Sequence, residues 1–385
     1  MPTPPTTART AGAAHPVLVA LAAACGLAAA MGLGRFVYTP LLPVMIEQST
    51  LTPEVGAWLA TVNYTGYLLG AALLMWRHDL AVPLLNRGAL VALVLSELAM
   101  VAGESVALWG AARLVAGVAS AFVFVFCART IAGAVPAGLG YAGVGLGIFL
   151  SGALTLLLEP VLGWRELWLV AAALTAVLAL ASWWLRPDHA VPSVPHSRSG
   201  WTRDGVLLAV AYSLEGMGYI IVGTFLVALV RDTLGVVWAG PAAWSVVGLS
   251  AASGAVAVSW ARRHWSLRAL MVGALLLQAL SALLPVILPG LVTTIVSGVL
   301  FGATFLGLVL TAMTWGARLG LPSAAATLTV VYGLGQIVGP IVVAPTLDRG
   351  YEAAFVVATV VLVVAAVTVG WRAPAARGRA GRAAR

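Results

Sequence analysis

Long apolar runs follow one another along nearly the whole chain, and about 18 consecutive apolar residues suffice to cross a bilayer as a helix. Twelve such stretches can be marked off, at 17–46, 54–76, 88–103, 105–128, 138–162, 166–185, 205–230, 236–260, 267–288, 290–316, 323–347 and 353–371. The third is short as drawn, and only Gly103 and Glu104 part it from the fourth. Charged residues make up 9% of the 385 residues and hydrophobic ones 61%, with a mean hydropathy of +1.02. Ordinary soluble domains are about 25% charged. Lipid must therefore be the solvent for much of the surface, where only helices and closed barrels satisfy their own backbone. The chain reads as an all-α membrane protein of twelve transmembrane helices.

All 21 basic residues are arginine, and the net charge is +8. With the N-terminus inside, the inner segments hold 16 arginines, while the outer loops hold three: Arg165, Arg231 and Arg349. That imbalance sets the orientation, with both termini cytoplasmic and the protein in the cytoplasmic (inner) membrane. It also accounts for the basic character without nucleic acid. Residues 21–25, LAAAC, are only faintly like a lipoprotein cleavage site, so the first stretch is expected to stay as a span. Cys25 and Cys127 both fall in apolar runs without metal-ligand spacing.

The longest polar break, residues 186–204, holds three prolines and three arginines and reads as a solvated cytoplasmic linker. His189 and His196, seven residues apart within it, are not read as a metal site. The break sets a six-helix bundle at 1–185 against another at 205–372, with a basic tail at 373–385. The halves also match each other. At a shift of 184, Gly32 and Gly34 fall on Gly216 and Gly218, and Gly70 and Trp76 on Gly254 and Trp260. At 185, Gly117 falls on Gly302, and at 188, Gly145 and Gly147 fall on Gly333 and Gly335. Two parallel six-helix repeats are the plan of the major facilitator fold.

Several segments carry a closer resemblance. RLVAGVASA (113–121) resembles the RxxxGxxx(A/G) motif of the major facilitator superfamily, and places Arg113, Gly117 and Ala121 on one helical face. GVGLGIFLSG (143–152) and GLGQIVGPIV (333–342) partly resemble the superfamily's antiporter motif, with the Gly-Pro pair at Gly339-Pro340. Small residues so spaced let helices approach closely and rock, which marks Gly117, Gly143, Gly147, Gly152, Gly335, Gly339 and Pro340 for packing or gating. The loop at 77–88 keeps only Asp79 and Arg87 of the superfamily's gate motif. GLGRFVYTPLLP (32–43), NYTGYLLGA (63–71), YSLEGMGYIIVGTFL (212–226) and GLGQIVGP look like the YbfB/YjiJ-like branch. The resemblance implies a transporter whose helices 1, 4, 7 and 10 line a central cavity.

Three charges are buried in the expected spans. Counted at 1.5 Å per residue, Arg35, Arg113 and Glu215 lie roughly 16, 12 and 22 Å from the outer helix ends. They fall on helices 1, 4 and 7 and are expected to face the cavity. Arg35 can hold a carboxylate or phosphate in its planar fork, or pair with Glu215. Glu215 is the candidate proton carrier. Tyr38, Asn63, Tyr67, Tyr219 and Gln336 are candidate polar groups of the pathway, and Tyr64 and Tyr212 are plausible additions. Glu97 and Glu159 are expected near the interface, and Trp76, Trp164, Trp260 and Trp371 as interfacial anchors. There is no phosphate-binding GxxxxGK[ST], HExxH or GxSxG, so neither an ATP-driven pump nor an enzyme is read here. The expectation is a cofactor-free monomeric secondary transporter in contact with lipid. Its solute would be a small organic anion, coupled to protons; the alternative is proton-driven efflux of amphipathic drug-like compounds.

Overall fold

The structure, a computed structural model, describes residues 15–132, 137–186, 200–322 and 324–371. Most of the expected linker, with His189 and His196, lies outside the described residues, as does the basic tail. The helices are α1 (Pro16–Gln48), α2 (Pro53–Trp76), α3 (Pro83–Ala99), α4 (Val106–Ala132), α5 (Ala137–Leu158) and α6 (Trp164–Ser182). They continue as α7 (Arg203–Leu234), α8 (Ala239–Ala261), α9 (Leu267–Ile287), α10 (Leu291–Arg318), α11 (Ala324–Val343) and α12 (Glu352–Gly370). Among the described residues there is no strand, and nine of these helices are long and apolar enough to cross a membrane.

Local signals set the ends. The Thr52 hydroxyl accepts from Val55 N and Pro53 opens α2; the Thr202 hydroxyl accepts from Gly205 N and opens α7. Helix α7 stops at Gly235, whose φ of 62° suits glycine. The third helix corrects the sequence reading. It begins at Pro83, not 88, because a proline with preset φ starts a helix well, and it ends at Ala99. Trp164 is a second correction. It is buried, edge-on to Trp109 with centroids 5.8 Å apart, whereas Trp76, Trp260 and Trp371 are exposed.

The sequence repeat reappears as a repeat of contacts. A Cβ on Gly117 would lie 2.1 Å from the Asn63 carbonyl oxygen; on Gly302 it would lie 2.2 Å from that of Val247. Residues 63 and 247 are 184 apart, so α2 on α4 is reproduced by α8 on α10. The pairs Gly70–Val118 and Gly254–Ala303 repeat the match from the other helix of each pair. Gly147 meets Ala28 and Gly32 as Gly335 meets Ser213 and Met217, so α1 on α5 is reproduced by α7 on α11. Gly143 packs on Ala24 of α1, and Gly339 on Met217 of α7.

Two of the seams that join the halves differ. Along α5 and α8, Gly145 and Gly152 would drive a Cβ to 2.5 Å from Ala252 N and 2.7 Å from Ser245 N. Gly248 would approach Phe149 N to 2.2 Å, so this seam is backbone on backbone. Along α2 and α11, a Cβ on Gly333 would meet only the Leu68 side chain, at 2.8 Å.

Helix α1 is broken in its middle. Residues Ala28–Leu33 form a π-helical turn, with Gly34 N bonded to Ala29 O and Phe36 N to Met31 O, each five residues back. Regular α-helix resumes at Tyr38, and Pro40 and Pro43 each lack the N–H that would continue the ladder. Two carbonyls at the break are taken by Arg113 of α4: Nη1 donates to Gly34 O at 3.1 Å and Nη2 to Arg35 O at 2.8 Å. The Tyr38 ring lies 4.9 Å from that guanidinium, and its hydroxyl donates to Gly56 O. Asn63 of α2 donates to the Arg113 carbonyl at 2.8 Å.

Replacing Arg113 by leucine removes both donors, at a cost of about 1–3 kcal/mol for each buried carbonyl left unpaired. Thermal unfolding in detergent should show Arg113→Leu clearly destabilised, with Arg113→Lys intermediate because a lysine lacks the fork. A leucine variant as stable as the parent would contradict this role.

Candidate functional site

The break in α1 ends beside a cavity of about 110 Å³ between the halves. Arg35, only 4% exposed, forms part of its wall. Its guanidinium carbon lies 4.1 Å from the Tyr67 ring centroid, 5.2 Å from that of Phe36 and 5.3 Å from that of Tyr64. Nη2 donates to Gln336 Oε1 at 3.2 Å, which ties α1 to α11. Arg35 forms no ion pair among the described residues, and its Nε is buried without an acceptor. Pro340, one turn beyond Gln336, cannot donate to the Gln336 carbonyl, which loosens α11 just there.

Four of the residues singled out in the sequence meet here: Arg35, Tyr67, Tyr219 and Gln336. Tyr212 also lines the cavity. Sequence reasoning missed Tyr332 and Phe305. Tyr332 is one turn before Gln336, so the four-residue spacing was the available signal. Phe305 likewise follows Phe301 by one turn on α10 and stacks on Tyr219, centroids 5.4 Å apart. Unlike Tyr38 and Tyr64, the hydroxyls of Tyr67, Tyr212, Tyr219 and Tyr332 form no hydrogen bond to protein among the described residues.

Other candidates lie elsewhere. Arg113, Tyr38 and Asn63 are committed to the contact of α1, α2 and α4 and are not among the cavity-lining residues. The reason is the break in α1, which presents two carbonyls to the guanidinium. Glu215 is fully buried in α7, beside the Gln278 amide of α9 but without a hydrogen bond to it, and both carboxyl oxygens lack partners. It does not pair with Arg35.

Between the cavity and the end carrying Glu47, Glu159 and Arg231, the halves are sealed in layers. Thr39 Oγ1 donates to Gly223 O at 2.6 Å, and the Tyr64 and Thr224 hydroxyls are 2.8 Å apart. Trp244 Nε1 of α8 donates to Ser151 Oγ of α5 at 3.1 Å. At the end itself, Arg231 pairs with Glu47 at 2.5 Å and also with Glu159. The Glu159 and Arg231 side chains are 6% and 12% exposed, so this is a partly desolvated cluster. Burial pushes the Glu159 carboxyl above the ordinary carboxylate range, while the hydrogen bond and charge of Arg231 oppose the rise. At the opposite end, the Arg77–Asp79 and Arg268–Asp204 pairs each stay within one half.

Glu159 and Glu97, which the sequence reading set near the interface, each have a partner. Glu159 belongs to the inter-bundle ion cluster, and Glu97, 1% exposed, accepts from the Thr175 hydroxyl at 3.0 Å. Their partners are 72 and 78 residues away in sequence, and no local pattern announces them.

Comparison with known proteins follows the fold. A crystal structure of a mutant of the nucleoside transporter NupG superposes with a TM-score of 0.74 at 13% identity, covering 91% of this chain and 98% of that one. At that identity the likeness shows the fold alone. No curated protein sequence matches the chain. The family model described as "Uncharacterised MFS-type transporter YbfB" matches residues 27–370. The chain therefore belongs to that family of major facilitator transporters, multi-pass proteins of the membrane.

Proposed function

We propose that this secondary transporter moves a small organic anion through the Arg35 cavity by alternating access. The observation that carries the reading is a buried guanidinium on a cavity wall with no carboxylate partner among the described residues. An unpaired buried charge costs several kcal/mol. Each cation–π contact offsets about 0.5–2 kcal/mol, and Gln336 supplies only a neutral acceptor. A carboxylate on the free edge of the fork completes the compensation.

We take the linker end as cytoplasmic, from the arginine distribution, in the inner membrane with both termini inside. The Arg231 cluster and the layers beneath it then close the external side, and the cavity faces inward. Glu215 is the proton carrier in this reading. Ionised, it would be a second uncompensated buried charge, so in this state it holds its proton. In this reading its proton is coupled to occupancy of Arg35. A second reading, efflux of amphipathic compounds, draws support from the apolar lining that includes Leu306, Val309 and Met313. The protein is expected to work as a monomer.

In proteoliposome counterflow of small carboxylates, Arg35→Gln should lower exchange about 10- to 100-fold, the worth of a hydrogen bond to a charged group. Undiminished exchange would remove the anion reading. Glu215→Gln should keep downhill counterflow yet lose accumulation driven by a pH gradient; accumulation equal to the parent would show that Glu215 is not the coupling site. Opening of the outer seal is tested with Thr39→Cys in a background lacking Cys25 and Cys127. A membrane-impermeant thiol reagent added outside should label that cysteine faster when Arg231→Gln is also present. Equal labelling would mean that the ion cluster does not hold the seal.

A further inference from the structure

We infer that the cavity selects an anion carried on a flat aromatic ring, a monocyclic aromatic carboxylate, over an aliphatic acid of similar size. The inference rests on the anion reading above and adds the shape of the rest of the solute. Its basis is the arrangement of rings in the second half. Phe301 and Phe305 of α10 lie at 18° and 27° to Tyr219 of α7, both with centroids 5.4 Å away. Tyr219 lies at 31° to Tyr332 of α11, and Tyr332 at 20° to Tyr212, centroids 4.6 Å apart. Three helices thus present a file of rings in nearly parallel planes, and Tyr212, Tyr219, Phe305 and Tyr332 of that file line the cavity.

A flat ring can continue such a file face to face, with the offset stacking that aromatic quadrupoles favour. A puckered ring or branched chain fills the same volume without that match. The facing wall supplies the charge. Arg35 lies over the Tyr67 ring, which is itself edge-on to Phe124 at 68°. The guanidinium is thus held by rings and by Gln336, and a carboxylate adds the missing charge while its ring stacks on the file. Size supports the same class. At about 110 Å³ the cavity is well below the range of pockets that enclose drug-sized molecules, so one ring fits and a polycyclic amphipath does not.

The test is isothermal titration of the detergent-purified full-length protein with benzoate, cyclohexanecarboxylate and benzyl alcohol. Parallel titrations use Arg35→Gln, Tyr219→Leu and Tyr219→Phe. Benzoate should bind about tenfold more tightly than cyclohexanecarboxylate, the upper end of what one ring pair supplies. Tyr219→Leu should erase that preference, and Tyr219→Phe should keep it. If Tyr219→Leu does not fold, the parent's ratio of the two acids and its retention in Tyr219→Phe decide the matter. Two acids bound equally by the parent, both weakened by Arg35→Gln, would overturn the ring inference and leave the anion reading standing. No binding of either acid, or benzyl alcohol bound as well as benzoate and unaffected by Arg35→Gln, would overturn both.

Discussion

A guanidinium keeps its charge inside a protein, so every arginine taken into a membrane interior dictates what surrounds it. Arg113 and Arg35 meet that demand in opposite ways. Arg113 spends its fork on two main-chain carbonyls at the break in α1, Gly34 O and Arg35 O, and so holds that break. Arg35 projects from the same break and finds three aromatic faces and one neutral amide. The first arrangement is closed and structural. The second is incomplete, and that incompleteness at a cavity wall is what gives the site its function in this account.

Much of this was legible in the sequence. The apolar runs fixed the fold class, because few other solutions exist for so little charge. The glycine offset was legible because close backbone contact tolerates no Cβ, so the same contacts in each half demand glycine at matching positions, as Gly117 and Gly302 do. Arg35, Tyr67, Tyr219 and Gln336 were found because polar groups are rare in these spans. The direction of Arg113 was not legible. Its helix was, but its partners are main-chain carbonyls at the break in α1 that no residue type announces. The surroundings of Glu215 were not legible either. The sequence shows an acid and a base on cavity helices, but not that α9 supplies Gln278 beside the acid.

The unequal seams bear on how the halves could move. Where α5 meets α8, backbones touch through Gly145, Gly152 and Gly248. Where α2 meets α11, Leu68 lies between. A rocking motion that keeps the first contact and shears the second would break the hydrogen bonds at Thr39 and Tyr64 and the Arg231 ion pairs. It would also part Arg35 from Gln336, a polar tie across the cavity itself. Occupancy of Arg35 by an anion would thereby loosen the link between the halves at the point where the solute binds.

The central claim is that Arg35 awaits a negative charge. Calorimetric titration of the purified protein with benzoate and with benzamide, the same skeleton lacking the charge, tests it most directly. The account predicts saturable binding of benzoate that weakens as salt rises, with no measurable heat from benzamide. Equal binding of the two, insensitive to salt, would contradict it and leave Arg35 as a structural charge held by its rings.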